Sequence, residues 1–391
     1  MTTTINNEHK KLNVPNLRFP EFQGEWEKTT IGEIATIKNG PFGSVLHAED
    51  YVDEGMPIVT TEHFKSGNLP LSKNGIPQVS EDDYCRLKGY MLETDDIVFS
   101  RVGSVDINAH VEHVQQGWLF SGRVLRVRPI KSVNSLCLHY VLSTESVKRD
   151  IRNRAVGQTM PSINTPILSN TGIYMSQSEA EQKKIANLLS IIDERIATQN
   201  KIIDKLQSLI KGIRNDVFGK LRKDIGLNAK VGDVLSYEQP QPYIVEDTEY
   251  TAGGTPVLTA NKAFVLGYTS ETDGIYDKGD CIIFDDFTLD CKYVDFPFKV
   301  KSSAIKILTA KNKELLRYTF EFLKYLDLST DEHKRHYIAE TQNQEFILPT
   351  TQIVRTIAHA FSTLSSRMQT IVKQRDMLEL QKQYLLRQMF I

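Results

Sequence analysis

Residues 181–218, EQKKIANLLSIIDERIATQNKIIDKLQSLIKGIRNDVF, decide the fold of this chain. Apolar residues recur in this stretch at alternating steps of four and three, which is the pattern of an α-helix with a single apolar seam. A helix of roughly 37 residues extends about 55 Å. The seam positions are Ile185, Leu189, Ile192, Ile196, Gln199, Ile203, Leu206, Ile210, Ile213 and Val217.

The same pattern returns 172 positions later, at the other end of the chain. A helix with one apolar stripe is not stable alone in water, so each copy is the predicted partner of the other. The alternatives are a homodimeric coiled coil and two unrelated surface helices. Arg375 and Lys382 interrupt the second seam, so its C-terminal half is expected to pack less tightly or to face another subunit. The second seam is Ile357, Phe361, Leu364, Met368, Ile371, Arg375, Leu378, Lys382, Leu385 and Met389.

Composition predicts a globular protein of two or three domains. The chain has 391 residues, of which 40% are hydrophobic, enough to form real cores. No apolar run approaches about 20 residues, and residues 1–17 are polar, so neither a membrane span nor a signal peptide is predicted. These features favour a cytoplasmic protein. The four cysteines form no C-x-x-C pair, which argues against a zinc site and predicts buried, reduced thiols.

The net charge of −2 does not by itself indicate a nucleic-acid-binding protein, but positive charge is concentrated in two places. Residues 120–154 contain eight basic residues against two acids, and residues 292–313 contain six lysines against one aspartate. Each cluster has an alternative interpretation as a solvated face that nearby acids balance. One cluster in each half of the chain is more informative than one alone.

The segments before the two long helices share one order of elements. In the first, residues 31–37 indicate a strand or a turn leading into a strand, residues 57–60, 96–100 and 124–128 indicate strands, and residues 136–154 indicate a helix. Alternation of apolar residues with Arg126 and Arg128 predicts that the last of these strands presents guanidinium groups on one face. The matching segments in the second half are residues 231–234, 255–259, 279–284, 304–307 and 315–325. The sequence therefore predicts a tandem duplication of an α/β domain followed by a long helix.

Motifs for nucleotide binding, S-adenosylmethionine chemistry and hydrolysis are absent, so recognition is favoured over catalysis. Arginine, lysine, asparagine and glutamine can bond base edges, while hydroxyls and glycine amides can hold phosphates. For any single residue, the alternative is a turn or salt-bridge role. The candidate DNA-binding residues are Asn39, Phe42, Ser44, His63, Lys65, Ser100, Arg101, Ser104, Arg123, Asn261, Lys262, Lys292, Arg335 and His336.

Two short motifs resemble the specificity subunit of type I restriction-modification systems. They are NLRFPEF at residues 16–22, followed by Trp26, and EQKKIA at residues 181–186, which opens the first long helix. The resemblance covers nearly the whole chain. It implies a non-catalytic subunit with two target recognition domains, each reading half of a split, asymmetric DNA site. It also implies two antiparallel helices on which methyltransferase subunits dock, joined by restriction and translocase subunits.

The resemblance implies that S-adenosylmethionine, ATP and Mg²⁺ belong to those partners and that this chain needs no cofactor. Expected boundaries are an N-terminal arm at 1–20, recognition domains at 21–176 and 221–348, and long helices at 177–220 and 349–391. The second repeat has TTQIV at residues 350–354 instead of the EQKKI opening, which puts its methyltransferase contact in doubt. The rivals are a coiled-coil adaptor with two protein-binding domains and, with little support, a self-sufficient DNA methyltransferase or nuclease.

Overall fold

The structure is a computed structural model that describes residues 13–41, 45–259, 263–330 and 334–391. It contains two compact units. Unit 1 is the chain up to Ala197 together with Arg375–Ile391, and unit 2 is Thr198–Gln374. Each of the two long helices contributes one part to each unit, so each unit contains residues from both. The domain boundaries expected from the sequence stay a prediction.

The elements are labelled in chain order. The helices are α1 (Ile31–Ile34), α2 (Glu81–Arg86), α3 (Ser135–Leu142), α4 (Glu145–Arg154), α5 (Thr165–Ser169), α6 (Glu179–Asp224), α7 (Val231–Val234), α8 (Leu315–Leu326) and α9 (Thr351–Gln388). The strands of unit 1 are β1 (Glu27–Thr30), β2 (Ala35–Asn39), β3 (Tyr51–Val52), β4 (Met56–Val59), β5 (Gln78–Val79), β6 (Ile97–Ser100), β7 (Asn108–His110), β8 (Leu119–Phe120), β9 (Val124–Pro129) and β10 (Gly172–Met175). The strands of unit 2 are β11 (Ala229–Lys230), β12 (Leu235–Glu238), β13 (Thr255–Leu258), β14 (Val265–Thr269), β15 (Cys281–Asp285), β16 (Cys291–Val294), β17 (Lys299–Val300), β18 (Ile305–Ala310) and β19 (Glu345–Phe346).

The two units repeat one sheet topology. Unit 1 has an antiparallel sheet in the order β2-β9-β6-β7, and unit 2 has the same sheet as β12-β18-β15-β16. A parallel pair, β4 with β8, recurs as β13 with β17, and the small pair β1 with β10 recurs as β11 with β19. The fold is therefore α/β with an internal two-fold repeat and two long antiparallel helices, as the sequence predicts.

One part of the sequence match between the repeats is wrong by a single residue. Ser100 pairs with Val124 in unit 1, and Asp285 pairs with Ile305 in unit 2. Ile305 therefore corresponds to Val124, whereas the sequence comparison places Ala304 there. The sequence comparison matched Lys306 to Arg126 because each lies between apolar residues, and a shift of one residue exchanges the two faces of the sheet.

The first strand of each main sheet follows a single helical turn. The Glu33 carboxylate accepts a hydrogen bond from the Thr30 amide at 2.7 Å, and Asp233 accepts one from the Lys230 amide at 2.8 Å. A side chain that caps the amide three residues earlier stabilises the start of a helical turn. Of the two interpretations left open for residues 31–37, the turn that leads into a strand is the one observed.

The helix predicted at residues 136–154 is two helices, α3 and α4, so that prediction is wrong. The break falls at Ser143 and Thr144, whose hydroxyls donate to the carbonyls of His139 and Val141 at 2.8 and 2.7 Å. Serine and threonine hydroxyls that bond the preceding turn compete with continuation of a helix. The break lets α3 bury almost its whole length while α4 buries only Val147 and Ile151.

The first seam is buried where α6 begins and partly buried further along the helix. Ile185, Leu189, Ile192 and Ile203 are buried, and Ile196 and Leu206 are half-buried. In unit 1 the start of α6 shares one apolar core with the end of α9, where Leu385, Met389 and Phe390 are buried.

The start of α9 packs against the end of α6 in unit 2. Phe361 is buried there, and the Arg214 guanidinium lies 5.7 Å from the centre of its ring. Both units thus show the antiparallel sense of the helices. The remaining predicted seam residues are half-buried: Ile357, Leu364, Met368, Ile371 and Leu378.

The expectation of loose packing at Lys382 is wrong, because its ammonium lies 2.6 Å from the Asp193 carboxylate of the other helix. Arg375 instead bonds Asp376 on its own helix at 2.6 Å. A long basic side chain at the edge of a seam can lay its alkyl stem on the apolar stripe and keep its charge paired.

The two motifs that carry the family resemblance contact each other. Both Arg18 nitrogens Nε and Nη2 donate to the Glu181 carboxylate, at 2.7 and 2.8 Å, and the Glu181 side chain is fully buried. The Lys184 ammonium lies 4.5 Å from the centre of the Phe19 ring. The N-terminal segment also bonds the other helix, because the Leu17 amide donates to the Gln388 carbonyl at 2.8 Å.

Several smaller expectations need correction or comment. Cys85 is exposed, whereas the other three cysteines are buried as predicted. Arg128 does not present a free guanidinium, because the Asp96 carboxylate accepts from its Nε at 2.6 Å. Arg152 and Arg154 are likewise ion-paired to acids of unit 1. Three of the eight basic residues in the cluster at 120–154 are therefore neutralised locally. No helix in the described part of the chain is long and apolar enough to cross a membrane.

Candidate nucleic-acid interface

A cleft of about 530 Å³ lies at the end of the parallel strand pair of unit 1. Its walls are the turn that follows β4, which includes Thr60, Thr61 and Glu62, and the tight turn between β8 and β9. Pro41 closes one side, and Tyr51 lies at another. Four hydroxyl-bearing residues and an arginine thus share one concave surface, and its remaining lining residues are Leu46, Ser121, Gly122 and Arg123.

The floor of the cleft depends on a close backbone approach. A Cβ added to Gly40 would lie 2.0 Å from the Ser121 carbonyl oxygen, so only glycine fits at this position. Ser121 is 7% exposed, and its hydroxyl has no hydrogen-bond partner among the described residues. A buried hydroxyl without a partner costs free energy unless a ligand or water satisfies it, so this atom marks a place for one.

Arg123 stands exposed at the rim, and its guanidinium makes no hydrogen bond or ion pair to any described residue. Its carbonyl accepts from the Arg101 amide at 3.0 Å, and the Arg101 guanidinium donates to the Gly122 carbonyl at 3.0 Å. Two of the arginines predicted from sequence therefore lie on adjacent loops beside the cleft. Arg123 has its charge available to a partner outside the chain.

His63 and Lys65 follow the wall residues Thr60, Thr61 and Glu62 along the chain. The His63 Nδ1 accepts from the Thr60 amide at 3.0 Å, which stabilises the helical turn at Thr61–Phe64. Burial lowers the pKa of His63, so the ring is neutral at physiological pH and its other nitrogen is the donor. The Lys65 ammonium pairs with the Glu62 carboxylate, and this contact lowers the pKa of Glu62. The acid of the cleft is thus already paired with a cation.

The other residues predicted in unit 1 are placed differently. Asn39 ends β2, and its side-chain oxygen has no hydrogen-bond partner among the described residues. Ser100 is buried at 2% exposure, a placement that does not favour a direct DNA contact, whereas Ser104 is exposed on the next loop. Phe42 and Ser44 lie outside the described residues.

Hydrogen bonds identify the matching positions in unit 2. The Ser121 amide bonds the Val59 carbonyl at 2.9 Å, and the Lys301 amide bonds the matching Leu258 carbonyl at 3.1 Å. Lys301 therefore corresponds to Ser121. The Asp286 amide donates to the Ala304 carbonyl at 2.9 Å, just as the Arg101 amide donates to the Arg123 carbonyl. Ala304 therefore corresponds to Arg123, and Asp286 corresponds to Arg101.

Unit 2 has a buried ion pair behind the turn that matches the cleft of unit 1. The Lys306 ammonium lies 3.4 Å from the Asp286 carboxylate, and both side chains are 1% exposed. The same ammonium donates to the Gln239 amide oxygen at 2.8 Å. Sheet register places Gln239 where unit 1 has Asn39, and Lys306 where it has Leu125. The two units thus present different polar groups on one backbone plan.

The residues predicted in unit 2 do not gather at one place. Lys292 pairs with Asp290 at 3.2 Å. His336 is 1% exposed, and its ring bonds Glu340 at 2.8 Å, which does not favour a base contact. Arg335 is exposed. Asn261 and Lys262 lie outside the described residues. No DNA-contact role of any predicted residue is tested by these placements, and all stay predictions.

Sequence reasoning missed Ser121 and Lys301. The Lys301 ammonium lies 5.9 Å from the centre of the Tyr250 ring and makes no hydrogen bond or ion pair to any described residue. Val59 and Leu258 each end a strand that has a proline two residues earlier. An alignment of the two repeats on these residues could have found both Ser121 and Lys301.

Comparisons with known proteins agree on one family. Residues 23–208 match the type I restriction modification DNA specificity domain. The chain is 45% identical over 126 residues to the specificity subunit of the type I restriction enzyme EcoR124I/EcoR124II of Escherichia coli, covering 30% of this chain and 31% of that protein. It is 28% identical over 228 residues to the putative type I restriction enzyme MjaX specificity subunit of Methanocaldococcus jannaschii, covering 54% and 50%. The chain thus spans half or less of the length of these curated relatives.

A solved structure resembles the whole fold. The S subunit of a type I restriction-modification system from M. genitalium superposes with a TM-score of 0.64 at 17% sequence identity. The match covers 97% of this chain and 99% of that chain. This likeness extends the shared architecture to unit 2, which lies mostly beyond the residues that match the family domain.

Proposed function

We propose that the chain belongs to the type I restriction-modification DNA specificity family and that it is the sequence-reading subunit of a cytoplasmic restriction-modification complex. One recognition domain reads each half of a bipartite, asymmetric site in double-stranded DNA. The chain itself catalyses no reaction in this proposal. S-adenosylmethionine, ATP and Mg²⁺ act in the partner subunits.

The observation that supports this proposal best is the cleft of unit 1 together with its altered counterpart in unit 2. An unpaired arginine, a buried hydroxyl and two threonines on one concave surface are groups that bind phosphate and base edges. The repeat keeps the two backbone hydrogen bonds that flank this turn, has one more residue in the turn, and changes the side chains from Ser121 and Arg123 to Lys301 and Ala304. Two similar domains with different polar surfaces suit two different half-sites.

The long helices are the proposed docking surface for two methyltransferase subunits, which restriction and translocase subunits then join. The helix start at Glu181 is held by Arg18, so the EQKKI opening has a fixed position in unit 1. The start of α9 has Ile353 and Val354 in the corresponding part and lacks that acidic residue. The two methyltransferase contacts are therefore proposed to differ in detail.

The test is to co-express the full chain with methyltransferase subunits of this family and to sequence the methylated bases of the host DNA. We expect one bipartite motif with one methylated base in each half. Exchange of residues 225–348 for the same segment of another specificity subunit should change one half of the motif and leave the other unchanged. Random methylation, or a motif that the exchange alters on both sides, contradicts the proposal.

Two rival functions give different results in a second measurement. A coiled-coil adaptor with protein-binding domains would show no base preference, whereas a specificity subunit binds its motif far more tightly than scrambled DNA, by about 10³-fold or more. A self-sufficient enzyme would methylate or cleave DNA when the chain alone is incubated with S-adenosylmethionine, ATP and Mg²⁺. Turnover by the isolated chain would overturn the assignment.

A further inference from the structure

In both units the turn after the second strand of the parallel pair contains a cation that has no ion pair within the described residues. In unit 1 this is the turn between β8 and β9, with Arg123, and in unit 2 it is the turn between β17 and β18, with Lys301. These residues are not at matching positions, because Lys301 corresponds to Ser121. Each unit therefore has one positive charge on this turn, but the charged residue stands at a different position of the turn in each unit.

Six of the twelve other basic residues of the two clusters are ion-paired within their own unit. In unit 2, Lys292, Lys299 and Lys306 pair with acids at 3.2, 2.7 and 3.4 Å, and the Lys311 ammonium bonds the Gly232 carbonyl at 3.0 Å. In unit 1, Arg128, Arg152 and Arg154 are ion-paired. The cations left available for an external anion therefore include Arg123 and Lys301.

The surroundings of Arg123 favour a phosphate over a base edge. The cleft is concave, whereas a side chain that reads base edges must project into a groove. Its polar lining includes the hydroxyls of Tyr51, Thr60, Thr61 and Ser121 beside a glycine, and hydroxyls with backbone amides are common phosphate ligands. The Ser121 hydroxyl is buried and unpaired in the described structure. The one acid of the lining, Glu62, is held by Lys65.

We propose that these two turns are matched phosphate-binding sites, in which Arg123 with Ser121 in unit 1 and Lys301 in unit 2 each hold one DNA backbone phosphate. This inference rests on the proposed function and specifies how each domain is positioned on its half-site. The phosphate contacts fix the register of the domain, while sequence is read by other side chains.

The experiment measures DNA affinity of the full chain, in its complex with methyltransferase, as a function of salt. The probes are a 40-base-pair duplex that contains the methylated motif and a duplex of the same composition with a scrambled motif. Arg123→Ala and Lys301→Ala should each weaken binding to both duplexes roughly tenfold. Each should also reduce the slope of log affinity against log salt by about 0.9, and the double variant by about twice that.

Matched controls separate this role from general charge and from folding. Arg149→Ala and Lys313→Ala remove exposed cations of the same two clusters away from the turns and should leave the slope unchanged. Arg123→Lys keeps the charge and should keep the slope. Ser121→Ala should weaken binding without a change in slope, because it removes a neutral ligand.

The outcomes distinguish failure of this inference from failure of the proposed function. An unchanged slope in both alanine variants, or a loss confined to the motif duplex with a changed methylation motif, overturns the phosphate assignment while sequence-specific recognition stands. A wild-type complex that binds both duplexes equally contradicts the proposed function itself.

Discussion

Lys382 Nζ lies 2.6 Å from Asp193 Oδ1, and the other oxygen of that carboxylate accepts a hydrogen bond from the Tyr140 hydroxyl at 2.8 Å. The three side chains come from α9, α6 and α3. The carboxylate therefore joins α3 of unit 1 to both long helices. A position that sequence alone marks as a break in the seam is where the two helices are ion-paired.

A double-mutant cycle on this pair should show a favourable coupling. We expect Asp193→Asn and Lys382→Met together to give a coupling energy of about 0.5–1 kcal/mol, because both side chains are about a quarter exposed and solvent screens part of the attraction. The measurement is urea unfolding of the four proteins. The control pair, Glu179 with Lys183, is more exposed on one helix and should couple less. Equal coupling in both pairs would contradict the interhelical role.

Removal of Glu181 should be far more costly. Glu181→Ala removes the buried carboxylate that accepts two hydrogen bonds from the Arg18 guanidinium. Loss of one member of a buried ion pair costs about 3–5 kcal/mol. Chemical denaturation of the full chain measures this loss. Lys184→Ala removes an exposed pair with Glu21 on the same helical turn and should have a much smaller effect. A small effect of both substitutions would show that the N-terminal segment does not contribute to stability.

Stability should fall in acid because of a buried histidine. Burial lowers the pKa of His139 to about 3, and its Nδ1 lies 2.6 Å from the Asn108 side-chain oxygen. Between the pKa of about 6.5 in the unfolded chain and 3 in the folded one, only the unfolded chain takes up the proton. The free energy of unfolding should therefore decrease by up to about 1.4 kcal/mol per pH unit below pH 6.5.

Unfolding at pH 7.5, 6.5 and 5.5 tests this histidine against His139→Gln. The variant should lose part of the pH dependence, and His110, whose pKa burial also lowers, accounts for a remainder. Identical slopes for wild type and variant would show that His139 does not set the acid sensitivity.

Two glycine substitutions should have opposite effects. Gly40→Ala places a methyl group 2.0 Å from the Ser121 carbonyl, so the floor of the cleft must move, and we expect loss of stability and of DNA affinity. Gly212→Ala lies on α6 with no atom within 4 Å of the new methyl group and should stabilise the chain by about 1 kcal/mol. Thermal unfolding and DNA titration of the two variants make the comparison. A Gly40→Ala variant that binds DNA like wild type would contradict the described cleft.

Periodicity predicts the long helices because it is a local property. The steps from Ile185 to Ile203 place every seam residue on one face whatever the partner, and the structure buries that face. The repeat also predicts the sheet order, since matched segments fold alike. The register between the two repeats is harder to predict, because Val124 and Ala304 look equivalent by residue type. Only the hydrogen-bonded strand pairs show that Ile305 is the counterpart of Val124.

The cleft could not be predicted because its parts are distant in sequence. Gly40 and Ser121 meet through a backbone approach that no spacing rule predicts. The sequence identifies Arg123 as basic, but only the structure shows that Arg128 and Arg152 are paired while Arg123 is not. The burial of Ser100 and His336 likewise follows from tertiary packing and not from their residue type.

The bonds between the globular part of each unit and the long helices limit how that part can be exchanged between related chains. Tyr140 meets Asp193 in unit 1, whereas in unit 2 Arg317 bonds Glu321 at 2.7 Å, and the Arg214 guanidinium of α6 bonds the same glutamate at 2.7 Å. A transplanted domain without a donor for Asp193 loses one hydrogen bond to the helices, and a domain without an acid for Arg214 leaves that guanidinium without its ion pair. Successful chimeras should therefore inherit the domain together with the helical turns beneath it.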